Sequence, residues 1–250
     1  MNQLSSPSVK RAIIMGATSG IGYETARLLL AEGWHLGIAG RREKELQMLQ
    51  AQAPERVWTR IIDIRMPHAG EELLQLINDL GGMDLYFHSS GIGHQNFTLK
   101  PEIELNTLET NGTGFVRMVT TAFHYFQKQG KGHIAVISSI AGTKGLGIAP
   151  AYSATKRFQN TYIDALEQLA NIQHLSIDFT DIRPGFVATG LLNDGKKYPL
   201  LMDVQRVAHH IIRALKKRKR IIIIDWRYRL LVFFWKLIPS FIWKYLPVRN

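Results

Sequence analysis

Seven short apolar runs alternate with helical segments along this 250-residue chain, and that alternation predicts an α/β fold. The expected architecture is a doubly wound, parallel, seven-stranded sheet with helices on both faces. Two further observations point the same way. The first apolar run ends in a glycine-rich turn that leads straight into a helix. The polar residues able to do chemistry follow the ends of the predicted strands, the edge where such sheets bind ligands.

Taken in order, the apolar run 11–15 reads as a strand and ends at Gly16-Ala17-Thr18-Ser19-Gly20-Ile21-Gly22; residues 21–31 continue with helical spacing. A strand over 35–39 precedes a helix over 43–52, and a third strand, 57–62, stops at Asp63. Residues 71–79 are helical, and 85–87 form a strand running into His88-Ser89-Ser90-Gly91. One or more helices fill 103–129 and carry Asn111. The fifth strand, 133–137, ends at Ser138-Ser139, ahead of a helix over 151–169. A sixth strand over 175–182 is broken by Pro184-Gly185, a helix covers 204–217, and the four isoleucines 221–224 form the seventh strand. No repeat or low-complexity linker divides the chain. It reads as one domain over 1–225 with an apolar, basic extension over 226–250.

Composition narrows the function. Hydrophobic residues make up 46%, which suits a globular domain. With no cysteine there are no disulfides, thiolate zinc sites or cysteine nucleophiles, and the chain fits a reducing compartment. No charged-then-apolar leader stands at the start, so a cytoplasmic location is expected. The nine histidines lack metal-ligand spacing: His209 and His210 are adjacent and diverge on a helix, and no metal site is expected. The net charge of +11 is confined to the end. Residues 1–205 hold 19 Lys and Arg against 19 Asp and Glu, whereas 206–250 hold 12 basic residues against Asp225 alone. A neutral body with a basic tail points to a local anionic contact, not to nucleic acid.

Tyr152 and Lys156 are four residues apart and share one helical face, with Ser139 upstream. A free phenol titrates near about 10, and a neighbouring cation favours its ionised form. The serine hydroxyl can polarise a carbonyl oxygen while the tyrosine passes it a proton, an arrangement suited to hydride transfer between a nicotinamide and a ketone or alcohol. The glycine turn would supply the cofactor site, its helix N-terminus facing the pyrophosphate. After the second strand, an acidic residue would take the ribose 2'-hydroxyl of NAD; here Arg41 and Arg42 follow Gly40. Arginines favour a 2'-phosphate, so NADP(H) is expected over NAD(H).

Together these motifs resemble the short-chain dehydrogenase/reductase family, whose fold is the Rossmann type, over roughly residues 11–214. The resemblance implies a catalytic tetrad of Asn111, Ser139, Tyr152 and Lys156. Tyr152 would be the general acid in reduction. Lys156 would lower its pKa and bind the nicotinamide ribose, Ser139 would orient the carbonyl, and Asn111 would hold a relay water. It implies cofactor contacts from Gly16, Thr18, Ser19, Gly20, Ile21 and Gly22 in the turn, and from Arg41, Arg42, Asp63 (towards adenine) and Ile64. Further contacts would come from Ser89, Ser90 and Gly91, from Tyr152 and Lys156, and from Pro184, Gly185, Val187 and Thr189 beside the nicotinamide. Homodimers or homotetramers are the family's frequent assemblies. Two positions depart from the pattern: Met15 replaces the usual threonine, and His88-Ser89-Ser90-Gly91 replaces Asn-Asn-Ala-Gly. Ser138 is set aside because strand alternation points it away from Ser139.

The substrate expected is a small hydrophobic ketone or secondary alcohol, walled by Ile140, Leu146, Ile148 and residues 186–201. The extension carries eight of the 24 aromatic residues between Trp226 and Tyr245. Residues 230–246 offer only 17 positions, with two lysines and a proline, too few for a span of about 20 apolar residues. Tryptophan, tyrosine and lysine mixed with leucine and phenylalanine suit a bilayer interface, and the basic run 216–220 with Arg227 and Arg229 would attract anionic lipid. A subunit interface or a lid over the substrate pocket is the alternative. The competing functional reading is a membrane-associated NADP-binding scaffold or sensor with little catalysis.

Overall fold

The computed structural model describes residues 9–192 and 198–248 and is centred on one sheet of seven parallel strands. In chain order these are β1 (Arg11–Met15), β2 (His35–Gly40), β3 (Val57–Ile61), β4 (Leu85–His88), β5 (Lys131–Ile137), β6 (Ser176–Pro184) and β7 (Ile221–Ile224). The helices are α1 (Gly20–Ala31), α2 (Glu43–Gln50), α3 (Ala69–Leu80), α4 (Pro101–Leu108), α5 (Phe115–Gln129), α6 (Pro150–Ile172), α7 (Val204–Lys216), α8 (Trp226–Leu237) and α9 (Ser240–Trp243). The strand order is β3-β2-β1-β4-β5-β6-β7, so the direction of winding reverses between β1 and β4. A crevice opens at that reversal, outside the carboxyl ends of the strands.

Buried side chains fall into two clusters, one on each face of the sheet, which is why the strands read as continuous apolar runs. On one face α1 and α7 pack with Leu29, Val207 and Ile211; on the other α3 and α5 pack with Leu76, Met118 and Phe126. The segment expected to be helical over 103–129 is divided. A wide π-type turn over Glu109–Gly114 separates α4 from α5. A Cβ at Gly114 would lie 2.9 Å from Ile64, so the turn is seated directly on the loop after β3. Such turns redirect one side chain of a helix, here Asn111.

The extension is helical and packed. Asp225 caps α8 by accepting from Arg227 N–H, and Tyr228 and Val232 join the same core as β1 and α7. Among the described residues no helix is long and apolar enough to cross a membrane.

Candidate active site

β1 delivers the glycine turn to the crevice. Gly16 and Gly20 have φ of 91° and 55°, conformations that side chains with a Cβ rarely adopt. A Cβ on Gly22 would meet the Gly16 carbonyl oxygen at 2.1 Å, and one on Gly16 would meet Ser90 N at 2.7 Å. The turn is therefore pressed against its own helix and against the loop after β4. Ser19 precedes α1 without capping it through its side chain, and the first turn has no acidic residue. The positive end of α1 is left facing the crevice, as a bound phosphate requires. A pyrophosphate-bearing nucleotide fits this cradle.

The other residues expected around a nucleotide line the same edge. Arg42 donates to Thr18 Oγ1 at 2.9 Å, which brings a guanidinium over the turn just beyond β2. Arg41 is exposed, and its charge reaches Asp63. The Asp63 carboxylate is held by Arg65 at 2.6 Å, and that hydrogen bond keeps its pKa below the usual carboxylate range. Ile64 packs on Gly114, and its carbonyl accepts from Arg117 at 2.6 Å. Ser89 N–H donates to the Met15 carbonyl at 2.8 Å, and the Met15 side chain, in place of the usual threonine, packs in the core. His88 is fully buried; its Nδ1 shares a 2.9 Å hydrogen bond with the Tyr86 hydroxyl, and burial lowers its pKa to about 3. Pro184 ends β6, Val187 is buried, and Thr189 lies 3.1 Å from a Cβ placed on Gly20. A Cβ on Gly185 would strike the Tyr228 ring at 2.2 Å.

Tyr152 and Lys156 stand on the first turns of α6. The ammonium lies 5.7 Å from the phenol ring centroid. The Tyr152 pKa is raised by burial, with a side-chain hydrogen bond to Ser139 opposing the rise in part, so the lowering expected from Lys156 is not what sets it here. Ser139 Oγ also accepts from Ala141 N–H at 3.0 Å, which fixes the serine at the end of β5. Lys156 is 4% exposed and donates to the Ile137 carbonyl and to Gln159 Oε1, each at 3.0 Å. Burial lowers its pKa to about 8, while the Asp181 carboxylate opposes that shift. A Cβ on Gly91 would lie 3.6 Å from Lys156 Nζ, so the loop after β4 passes over the ammonium.

Asn111 reaches this group as a clamp. Its side chain accepts from Ile92 N–H at 2.9 Å and donates to the Ile92 carbonyl at 2.7 Å, and its own carbonyl accepts from Gln159 Nε2 at 2.9 Å. Gln159 thus links the Lys156 ammonium to the Asn111 backbone. Sequence reasoning missed it, although it lies three residues beyond Lys156 and seven beyond Tyr152, on the same helical face. A buried network that no local spacing reveals lies behind the lysine: Ser138 Oγ donates to Asp181, Asn160 donates to both at 2.9 Å, and Arg183 pairs with Asp181 at 2.6 Å. These groups fix the carboxylate whose charge supports Lys156.

A cleft of about 770 Å³ is lined by Gln95, Phe97, Gly145, Gly147, Ile148, Trp243 and Leu246 among others; Tyr152 and Ser139 are not part of that lining. Two loops form it, one after β4 and one before α6, joined by Asn96 N–H on the Ile148 carbonyl at 2.8 Å. Glu104 ties them further, accepting from Asn96 and from Ala151 N–H. On the first loop, Gly93 lies against the phenol; a Cβ there would be 2.7 Å from Tyr152 Cε2. The extension supplies the third wall: Trp243 Nε1 donates to the Gly145 carbonyl, and Lys144 Nζ to the Ile238 carbonyl, each at 2.8 Å. Of the expected wall, Ile148 lines the cleft, whereas Ile140 is 6% exposed and packs into the core. Residues 193–197 of the expected 186–201 wall lie outside the described residues.

Comparison with known proteins identifies the fold and the family. The family model described as short chain dehydrogenase matches residues 10–198. A dehydrogenase/reductase SDR family member 7B of Bos taurus is 29% identical over 265 residues, spanning 95% of this chain and 80% of that protein. An uncharacterized oxidoreductase of Myxococcus xanthus is 30% identical over 203 residues, 78% of this chain and 79% of that one. An actinorhodin polyketide ketoreductase solved with NADPH shares the fold at a TM-score of 0.76 and 22% identity, covering 88% of this chain and 97% of that one. An alcohol dehydrogenase of Thermococcus sibiricus complexed with 5-hydroxy-NADP has a TM-score of 0.75 at 22% identity, covering 87% and 96%.

Proposed function

The chain belongs to the short-chain dehydrogenase family, oxidoreductases of CH–OH groups that use a nicotinamide nucleotide, and we propose that it interconverts a hydrophobic ketone and its secondary alcohol with NADP(H) in preference to NAD(H). The observation that supports this reading is the grouping of Ser139, Tyr152 and the buried Lys156 ammonium, with the loop after β4 that also carries cleft residues Gln95 and Phe97 passing over them. A nucleotide bound along Gly16–Gly22, Asp63–Ile64 and Ser89–Gly91 would supply or accept the hydride.

In reduction, Ser139 donates to the substrate carbonyl and Tyr152 delivers the proton to its oxygen. A phenol raised by burial is still protonated at neutral pH, as a general acid must be. Lys156 holds positive charge near the oxygen that becomes anionic, its head oriented by the Ile137 carbonyl and Gln159. Asn111 keeps Gly91 and Ile92 in place above it. The Arg42 guanidinium beside Thr18, with Arg41, is the basis for the NADP(H) preference. Cleft residues Phe97, Ile148, Trp243 and Leu246 support an apolar substrate.

Exposed Leu105, Leu108, Phe158 and Ile172 on α4 and α6 support a homodimer or homotetramer joined through these helices. The extension is read as a peripheral contact with an anionic membrane surface on the cytoplasmic side. Supplying NADPH and a panel of apolar ketones tests the chemistry. Turnover is expected to fall by about 10²–10⁴-fold in Tyr152→Phe with nucleotide binding retained. Arg42→Ala should raise KM for NADPH by about tenfold or more while leaving NADH unchanged. Equal turnover by the Phe variant would remove Tyr152 from the mechanism; NADP binding without reduction of any carbonyl compound would favour the scaffold.

A further inference from the structure

The outer face of the extension has a pattern that catalysis does not require. Trp226, Leu230, Phe233 and Leu237 are spaced i, i+4, i+7 and i+11 and form one stripe along α8, each between 51% and 63% exposed. Phe234 extends the stripe, while Tyr228 and Val232, on the opposite side, are buried in the core. Beyond α8, Phe241 and Tyr245 are exposed one turn apart, at 68% and 78%. Among the described residues, nine of the 24 large exposed hydrophobic side chains lie within residues 226–248.

Charge decides what that surface fits. Arg229 and Lys236 are exposed along one flank of the stripe and Lys244 beside α9, and residues 226–250 contain no Asp or Glu. The basic run at 216–220, by contrast, lies at the surface with three of its five residues paired to acidic side chains. Lys216 pairs with Glu32, Arg218 with Asp178, and Arg220 with Asp164 and Glu167. A second copy placed on this face by two-fold symmetry would present the same surface, whose residues 226–250 offer no Asp or Glu to meet Arg229 and Lys236. An anionic phospholipid surface meets both the apolar stripe and its cationic flank.

We infer that α8 and α9 seat the molecule on an anionic bilayer so that the cleft opens towards lipid, and that the carbonyl substrate is an amphiphile taken from that surface. The same short segment serves both faces. Trp243 and Leu246 turn into the cleft while Phe241 and Tyr245 face outward, and Phe97, 81% exposed, stands on the facing wall. An acyl chain leaving the bilayer would pass from one apolar surface to the next. The substrate half of this inference rests on the oxidoreductase reading; the surface half does not.

Sedimentation of the full chain with vesicles tests it, using phosphatidylcholine alone and phosphatidylcholine mixed with phosphatidylglycerol. Retention on the mixed vesicles is expected. It should fall about tenfold or more in Phe233→Ser/Leu237→Ser and, by a route that leaves packing alone, in Arg229→Glu/Lys236→Glu. NADPH oxidation with a long-chain ketone should rise when mixed vesicles are present, and with a short soluble ketone should not. No retention, or equal retention by both variants, would overturn the surface. So would a dimer that dissociates on these substitutions without vesicle binding, which would give the face to a second copy. Retention with turnover confined to short ketones would overturn entry from lipid. Because sedimentation is read without catalysis, failure to reduce any carbonyl compound would count against the oxidoreductase reading alone.

Discussion

Replacing Lys156 by methionine should change how stability depends on pH, in a direction and by an amount that follow from the lysine's surroundings. The side chain is 4% exposed, and burial brings its pKa from 10.5 to about 8. Between those values the unfolded chain binds a proton that the folded chain does not, so the wild type gains stability as pH rises through the window. At roughly 1.4 kcal/mol per pKa unit, keeping the ammonium charged costs the fold about 3 kcal/mol at neutral pH. About 1 kcal/mol of that cost is relieved between pH 7 and 9. The groups facing Lys156 leave the comparison readable: burial holds the His88 pKa near 3 and raises that of Tyr152, and the Asp181 carboxylate keeps its Arg183 partner. Methionine cannot titrate. Urea unfolding of the nucleotide-free chains should therefore show the wild type gaining about 1 kcal/mol on Lys156→Met between pH 7 and 9. A difference that is flat with pH, or that shrinks, would mean that the ammonium is not desolvated and would refute the reasoning.

Gly93→Ala sets a methyl group where Tyr152 Cε2 lies 2.7 Å away, so the ring must move, and kcat for ketone reduction should fall on the order of 10²-fold with NADPH affinity preserved in a binding titration. Gln159→Met removes one of the two acceptors on Lys156 and makes the charged form less favourable. The alkaline limb of the kcat profile should then move to lower pH, and in Gln159→Glu to higher pH; superimposable limbs would show that Gln159 does not set the lysine's charge. Charge repair also has a measurable place in the fold: Arg220→Ala leaves Asp164 and Glu167 without their shared partner and should lower Tm by a few degrees, with an effect that weakens in high salt.

Much of the site was legible because its chemistry is local. A parallel sheet gathers the residues after its strands at one edge, so Gly16, Asp63, Gly91, Ser139 and Gly185 could be grouped from strand positions alone. The i, i+4 spacing put Tyr152 and Lys156 on one helical face whatever the rest of the chain does. The misses lay across long separations. Ile140 reads as a pocket residue by its nearness to Ser139 but turns into the core. Within the run 216–220, read for its positive charge, Arg218 and Arg220 meet Asp178, Asp164 and Glu167 from β6 and α6, which no spacing shows.

Periodicity and spacing report what one segment of backbone does to its own side chains, and from them the sheet, the glycine turn and the tyrosine–lysine face follow directly. Hydrogen-bond and ion partners depend on which distant segments share a volume. The link from Lys156 through Gln159 to Asn111, the seating of Trp243 on Gly145 and the lining of the cleft by the C-terminal segment were therefore decided by packing in three dimensions.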